Sequence, residues 1–251
     1  GIVFVGSRPP VSFFAYPDKK SYLTPPETKI VNLCSAEQNG LYALNSLVDE
    51  IGANKINKNL LQTSVSDVPK SGVLDASNLG LLIANLMPEN SIVSDEAATS
   101  SFLVTPQALK AKPHDWLCLT GGSIGQGLPL AVGAAIAKPE RPVITLHGDG
   151  GAMYTVQALW TQARENLNIT NIIFANHSYE ILKIELSRVG AVKTGKRADS
   201  MFSLDNPKLD WIKLSQSMGV PCYEPKTVEE FIKTFSSCVS EDGPSTILIQ
   251  M

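Results

Sequence analysis

Hydrophobic positions along this chain fall into two recurring patterns. Short continuous apolar runs read as strands buried on both faces, and stretches with apolar positions three and four apart read as amphipathic helices. Strands are predicted at 2–5 and Lys29–Leu33, with a helix from Glu37 to Ile51. Residues 1–55 therefore form an α/β piece too short to be a whole domain. Residues 56–71 carry Asn, Lys, Ser, Asp and Pro with little periodicity and read as a linker. From residue 72 onward strands and helices alternate. Asp75 caps a helix running to about Met87. Strand 91–94, a helix near 106–111, strand 116–119, helix 125–137, strand 142–147, helix 152–165 and strand 171–175 follow. A helix near 180–188, a polar loop 192–206, helix 207–218, strand 220–223, helix 227–240 and strand 245–250 complete the chain. Repeated βα units of this kind predict an α/β fold for 72–251, a mostly parallel sheet with helices on both faces.

Composition narrows the function classes. A chain of 251 residues has room for one large domain with an ample core, or for a domain plus a fragment. A net charge of −3 gives no footprint for nucleic acid. No apolar run reaches membrane-spanning length, and no signal peptide is visible. The cysteines, Cys34, Cys118, Cys222 and Cys238, lack CxxC or metal spacing and read as free thiols in a reducing, cytoplasmic compartment. The opening Gly1-Ile2-Val3-Phe4-Val5-Gly6 has the pattern of an interior strand and no initiator Met, which predicts a piece of a longer protein.

The densest chemistry lies at the ends of two neighbouring runs. Gly148-Asp149-Gly150 closes the apolar run 142–147, and Asn176 and Ser178 close the run 171–175. In a parallel sheet both fall at carboxyl ends of strands, the edge where open α/β folds bind ligands. The Asp149 carboxylate, the Asn176 amide oxygen and the Ser178 backbone carbonyl make a hard-oxygen set suited to Mg²⁺, with phosphate oxygens and water completing the octahedron. Gly150, Gly151 and Ala152 precede a predicted helix, where free N–H groups and the helix dipole favour phosphate. Gly-Asp-Gly alone is also an ordinary turn, and Gly122-Ser123-Ile124-Gly125 alone is a glycine-rich helix start. His114 and His147 read as loop and strand-end residues. His177 lies between two site candidates, with its side chain expected to point away. Trp160 and Trp211 are expected on the core faces of their helices.

The spacing of 27 residues from Asp149 to Asn176 resembles the thiamine-diphosphate signature, in which GDG is followed by an Asn pair. Ala175 replaces the first Asn of that pair, and Asn176 keeps the second. Leu119-Thr120-Gly121-Gly122-Ser123-Ile124-Gly125-Gln126-Gly127-Leu128-Pro129 and the run GDGGAMYTVQALW from Gly148 to Trp160 also resemble cofactor-binding segments of that family. Over about 72–251 the chain resembles the C-terminal region of acetolactate synthase large subunits and benzoylformate decarboxylases, and 1–55 resembles the end of the family's middle domain.

That resemblance implies a thiamine-diphosphate-binding fold and the cofactors thiamine diphosphate and Mg²⁺. It implies metal binding by Asp149, Asn176 and Ser178, and diphosphate contacts from Thr99, Gly150, Gly151 and Ala152. Gly151 stands where many relatives carry a Ser. Gly122 and Ser123 would meet the aminopyrimidine, with Ile124 beneath the bent cofactor. Glu96, beside Thr99, fits a structural or capping role. Tyr179 would approach a phosphate or pack in the core. Ile181 and Leu182 would line the substrate pocket, with Leu182 where pyruvate decarboxylases place a Glu. The implied substrate is a 2-keto acid. Acetolactate synthase-like carboligation of pyruvate is the leading reaction, and benzoylformate-type decarboxylation the alternative. Gln126 departs from the Phe common in true acetolactate synthases. The activating Glu is expected on the pyrimidine-binding domain of a second subunit of a homo-oligomer, a dimer or tetramer. No catalytic residue is expected in this chain, which would be silent alone. From other classes, a dinucleotide-binding oxidoreductase and a non-catalytic interaction fragment remain. Against the former, Gly122-x-x-Gly125-x-Gly127 is a scrambled GxGxxG, with no acidic residue at the end of the next strand.

Overall fold

The computed structural model describes residues 1–53, 67–191 and 195–251. Most of the predicted linker 56–71 and the start of the predicted loop 192–206 lie outside the described residues. The chain divides into two compact units, Gly1–Gln62 with Ile184–Lys193, and Thr63–Lys183 with Thr194–Met251.

In the first unit, β1 (Ile2–Val5) pairs in parallel with β2 (Ile30–Cys34). Helix α1 (Gly40–Glu50) starts three residues later than expected, because the Asn39 side chain accepts the Tyr42 N–H at 2.9 Å and fixes the cap there.

The second unit is built on six parallel strands: β3 (Ile92–Glu96), β4 (Asp115–Cys118), β5 (Val143–Gly148), β6 (Ile169–Ala175), β7 (Cys222–Tyr223) and β8 (Ser245–Gln250). Their order is β4-β3-β5-β6-β8-β7. The connecting helices lie on both faces. Period-two alternation along the strands explains why. Ile172 and Phe174 of β6 join Ile247 and Ile249 of β8 on one face, packed with Leu79, Leu82 and Ile83 of α2 (Ala76–Leu86) and Phe231 and Phe235 of α10 (Val228–Ser240). Ile173, Ala175 and Leu248 point the other way, towards Leu128 of α4 (Gly127–Ala137), Leu159 of α6 (Ala158–Arg164) and Trp211 of α9 (Trp211–Ser217). Helices α2 and α10 both open on capping boxes, Asp75 with Asn78 and Thr227 with Glu230.

Several expected elements shift for local reasons. The helix expected near 106–111 is α3 (Ser101–Ala108), preceded by a 3₁₀ turn at Ala98–Ser100. The Asp95 carboxylate starts this coil early by accepting from the Ala97 N–H at 3.0 Å and the Ser101 hydroxyl at 2.6 Å. The helix expected over 152–165 splits into a single turn α5 (Asp149–Ala152) and α6. Between them Tyr154 donates its N–H to the Gly151 carbonyl, and the Thr155 hydroxyl donates to the Gly125 carbonyl at 2.7 Å, drawing the chain out of helix. After α7 (Glu180–Arg188), the expected polar loop contains α8 (Lys196–Phe202). Helix α9 begins at Trp211 rather than 207, where the Asp210 side chain accepts the Lys213 N–H. Trp211 is buried as expected, but Trp160 is half exposed, its ring under the Arg164 guanidinium at 5.3 Å instead of in the core.

Phe231 is fully buried between α10 and the sheet. Phe231→Ala is expected to cost about 3–5 kcal/mol, the range for emptying a large core side chain, measured as a fall in the urea midpoint.

Candidate functional site

The parallel register brings the predicted segments to one edge. Glu96 ends β3 opposite His147 of β5, and Gly148 lies opposite Phe174 of β6. Cys118 ends β4 opposite Asp95. The loops after these strands are therefore neighbours at the carboxyl edge. They carry Thr99, Gly122 to Ile124, Asp149 to Ala152, and Asn176 to Tyr179.

Asp149 is 1 % exposed. Its Oδ1 accepts the Gly150 N–H and its Oδ2 the His177 N–H, each at 2.9 Å. Burial pushes its carboxyl above the ordinary value, and the His177 and Gly150 N–H groups only partly offset this. Asn176 Oδ1 accepts the Ser178 N–H at 3.0 Å, which fixes the amide beside its own turn. The 176–179 segment is pinned from the far side. Tyr179 donates its N–H to the Phe202 carbonyl, the Ser178 hydroxyl donates to the same carbonyl, and Leu204 donates to the His177 carbonyl. Helix α8 thus ends where it can hold the Asn176–Ser178 turn, which is why the stretch is not a plain loop.

Gly150, Gly151 and Ala152 lie within α5, one turn long, rather than ahead of a long helix. The macrodipole expected from a helix at 152 is therefore missing, and the Gly150 N–H is occupied by Asp149. Tyr179 packs on this turn. A Cβ at residue 150 would lie 2.6 Å from its Cε1, so only glycine fits there. Burial raises the Tyr179 hydroxyl above its ordinary pKa, with Tyr154 and Asp149 adding to the shift. Thr99 is half buried in the 3₁₀ turn at Ala98–Ser100. Ile181 is half buried and Leu182 exposed on the first turn of α7.

The glycine loop 119–126 is held by Glu96, in the structural role expected of it, and by His147 and Gln126, whose part the sequence pattern did not announce. Glu96 is 3 % exposed; its Oε1 accepts the Gly125 N–H and its Oε2 the Gly127 N–H, both at 2.5 Å. His147 Nε2 lies 3.2 Å from Glu96 Oε2, short in distance but off the N–H line. Burial pulls the Glu96 carboxyl up, yet the His147 contact and the two N–H donors outweigh it and leave the pKa below the ordinary value. Gln126 staples the loop by accepting the Thr120 N–H at 3.1 Å and donating to the Cys118 carbonyl at 3.3 Å. Gly125 has φ +92° and backs directly onto Tyr154 and Thr155, so it admits no side chain. The held loop leaves Ser123 exposed and the Ile124 side chain 42 % exposed. His177 departs from expectation: its ring does not turn away. Nδ1 is buried 3.8 Å from Asp149 Oδ2, and Nε2 is 2.9 Å from Gln250 Oε1. His177 takes a positive φ of +52° in this turn, a conformation that nothing in the sequence marks.

The profile of the thiamine pyrophosphate enzyme C-terminal TPP binding domain matches residues 99–249. The chain belongs to this family. The match of this thiamine pyrophosphate enzyme domain extends to curated relatives. A Mycobacterium tuberculosis protein named as an acetolactate synthase large subunit is 43 % identical over 98 % of this chain and 47 % of its own length. Benzoylformate decarboxylase of Pseudomonas aeruginosa is 29 % identical over 66 % of this chain and 30 % of its own. The thiamine diphosphate-dependent 4-hydroxybenzoylformate decarboxylase of Rhodococcus jostii superposes with a TM-score of 0.73 at 23 % identity, covering 99 % of this chain and 48 % of that one. This likeness shows the fold, a mostly parallel sheet flanked by helices. The chain spans about half the length of the first of these relatives.

Because the folded Glu96 carboxyl is depressed, its contribution to stability is present above the ordinary 4.5 and lost as pH falls through the folded value. Glu96→Gln is expected to cost about 1.5–3 kcal/mol at neutral pH, the scale of hydrogen bonds to a charged group. Urea unfolding across a pH series should show that difference narrowing below 4.5; a difference constant with pH would contradict it.

Proposed function

We propose that the carboxyl edge of the second unit binds thiamine diphosphate through Mg²⁺ and belongs to a 2-keto acid enzyme. The observation that carries this reading is the buried Asp149 at the end of β5, beside the Asn176 turn at the end of adjacent β6. The donor set fits the group. Asp149, the Asn176 amide oxygen and the Ser178 carbonyl are hard oxygens, as Mg²⁺ requires. Among the described residues no group of three or more His, Cys, Asp or Glu could hold a metal ion. The cation must therefore bring further oxygens with it, and a diphosphate supplies them. Thr99 and the Gly150–Ala152 turn are assigned to the diphosphate, and Gly122 and Ser123 to the aminopyrimidine. Ile124 presents an open apolar side chain at the same edge, suited to lie under a ring system.

When bound, thiamine diphosphate supplies the carbanion chemistry and the electron sink for 2-keto acid decarboxylation. The chain's own groups would orient it, Asp149 and Asn176 through the metal and Ile124 by apolar contact. Glu96 has both oxygens committed to Gly125 and Gly127, which leaves it no free role in proton relay. The activating carboxylate is assigned to a pyrimidine-binding domain of a second subunit, outside these residues. Acetolactate synthase-like carboligation is the preferred reaction, supported by the name of the 43 %-identical relative. An apolar Leu182 in the pocket position also disfavours protonation to a free aldehyde. Benzoylformate-type decarboxylation is the second reading, supported by the relative from Pseudomonas aeruginosa.

Titration calorimetry on the 251-residue chain tests the cofactor assignment. Thiamine diphosphate and Mg²⁺ together are expected to bind much more tightly than either alone. Asp149→Asn should weaken the joint binding by at least about tenfold, the lower bound for disturbing a metal's surroundings. Binding of NAD with none of thiamine diphosphate would reverse the assignment. The same chain, given both cofactors and pyruvate, is expected to show no turnover, and measurable turnover would contradict the missing-carboxylate reading. In the full-length enzyme, acetolactate from pyruvate would favour carboligation, and an aldehyde from an aryl keto acid the second reading.

A further inference from the structure

His147 was read from sequence as a strand-end residue, yet it is fully buried and wedged between the two turns of the site. On one side a Cβ at Gly127 would meet its Cδ2 at 2.9 Å and Nε2 at 3.0 Å. On the other, a Cβ at Gly151 would meet its Cε1 at 3.2 Å and Nδ1 at 3.4 Å, and Glu96 Oε1 at 3.2 Å. Each ring nitrogen faces an oxygen: Nδ1 lies 3.2 Å from the Gly148 carbonyl and Nε2 3.2 Å from Glu96 Oε2. The imidazole thus touches the loop that carries Ile124 through Gly127 and Glu96. It touches the α5 turn through Gly151, and its own strand leads straight into Asp149.

We infer that His147 is a positioning residue that locks the glycine loop and the α5 turn into one cofactor platform, with Glu96 as the intermediary and Gly127 and Gly151 as the faces it packs between. The inference rests on the proposed cofactor site and goes beyond it, since His147 is fully buried behind the residues assigned to the cofactor. It also accounts for glycine at 151. A side chain there would crowd the imidazole and Glu96, each 3.2 Å from its Cβ, so one of the two must give by a few tenths of an ångström. An aliphatic side chain at 147 would fill similar volume but offer nothing to the Glu96 carboxylate. Glu96 would then keep its two N–H donors and lose the imidazole nitrogen that approaches it at 3.2 Å.

The test uses the 251-residue chain and the variants His147→Leu, His147→Gln, Gly151→Ser and His147→Ala/Gly151→Ser. Amide hydrogen exchange is followed at Gly125 and Gly127 without cofactor, together with thermal stability and calorimetric titration of thiamine diphosphate with Mg²⁺. His147→Leu should keep the circular dichroism of the parent, accelerate exchange at the two glycines, and weaken cofactor binding by about tenfold or more, as loss of a supporting group around a metal site does. His147→Gln, which restores a polar partner for Glu96, should recover most of both. Gly151→Ser should lower thermal stability, and His147→Ala should relieve much of that loss in the double variant. Unchanged exchange in His147→Leu, or a Gly151→Ser penalty equal in both backgrounds, would overturn the proposal. Should His147→Leu fail to fold, the Gly151→Ser comparison decides. Failure of the parent chain to bind thiamine diphosphate would strike the cofactor site instead, with exchange and the double-variant comparison still judging His147.

Discussion

The organisation of the candidate site depends on one buried carboxylate. Glu96 grips the N–H groups of Gly125 and Gly127 at 2.5 Å each, and in doing so fixes a glycine loop that has little reason of its own to hold a shape. A charge out of water is tolerable only when its oxygens are satisfied. Here the backbone that satisfies them is the backbone that must be held. The exchange is mutual: the loop makes the buried carboxylate affordable, and the carboxylate makes the loop rigid.

The sheet supplies the rest of the geometry. Strands β4, β3, β5 and β6 are adjacent and parallel, so everything that follows them gathers at one edge. Residues distant in sequence, from Thr99 to Tyr179, become neighbours without any long-range motif to bring them there. The alternating faces of β6 and β8 then anchor this edge to helices on both sides, and Phe231 and Trp211 belong to the opposite cores. Asp149 carries the cost of the arrangement. It is buried with only backbone donors, and burial holds its carboxyl above the ordinary value.

Much of this was legible in the chain. Continuous apolar runs gave the core strands because a strand buried on both faces is mostly apolar. Asp75 marked its helix because capping is a local hydrogen-bond pattern. Asp149, Asn176 and Ser178 stood out because strand ends in a parallel sheet are predictable places. What escaped the pattern depends on tertiary contacts. The break between α5 and α6 is made by a Thr155 hydroxyl reaching Gly125 across the fold. Glu96 was expected to be structural, but its partners, and the place of His147, depend on which strands are adjacent. Gln126 was notable only as a departure from a relative's Phe, yet it staples the turn between Cys118 and Thr120. Trp160 obeyed helical spacing but lies on a helix only seven residues long, with an arginine rather than the core as its neighbour.

The central claim is that Asp149 and Asn176 hold a metal and, through it, a diphosphate. A crystal structure of the chain grown with thiamine diphosphate and Mg²⁺ tests it most directly. Density for an octahedral cation on Asp149, Asn176 and the Ser178 carbonyl, joined to a diphosphate over the Gly150–Ala152 turn, is the predicted result. Water alone at those oxygens, with the cofactor bound elsewhere or absent at saturating concentration, would contradict it.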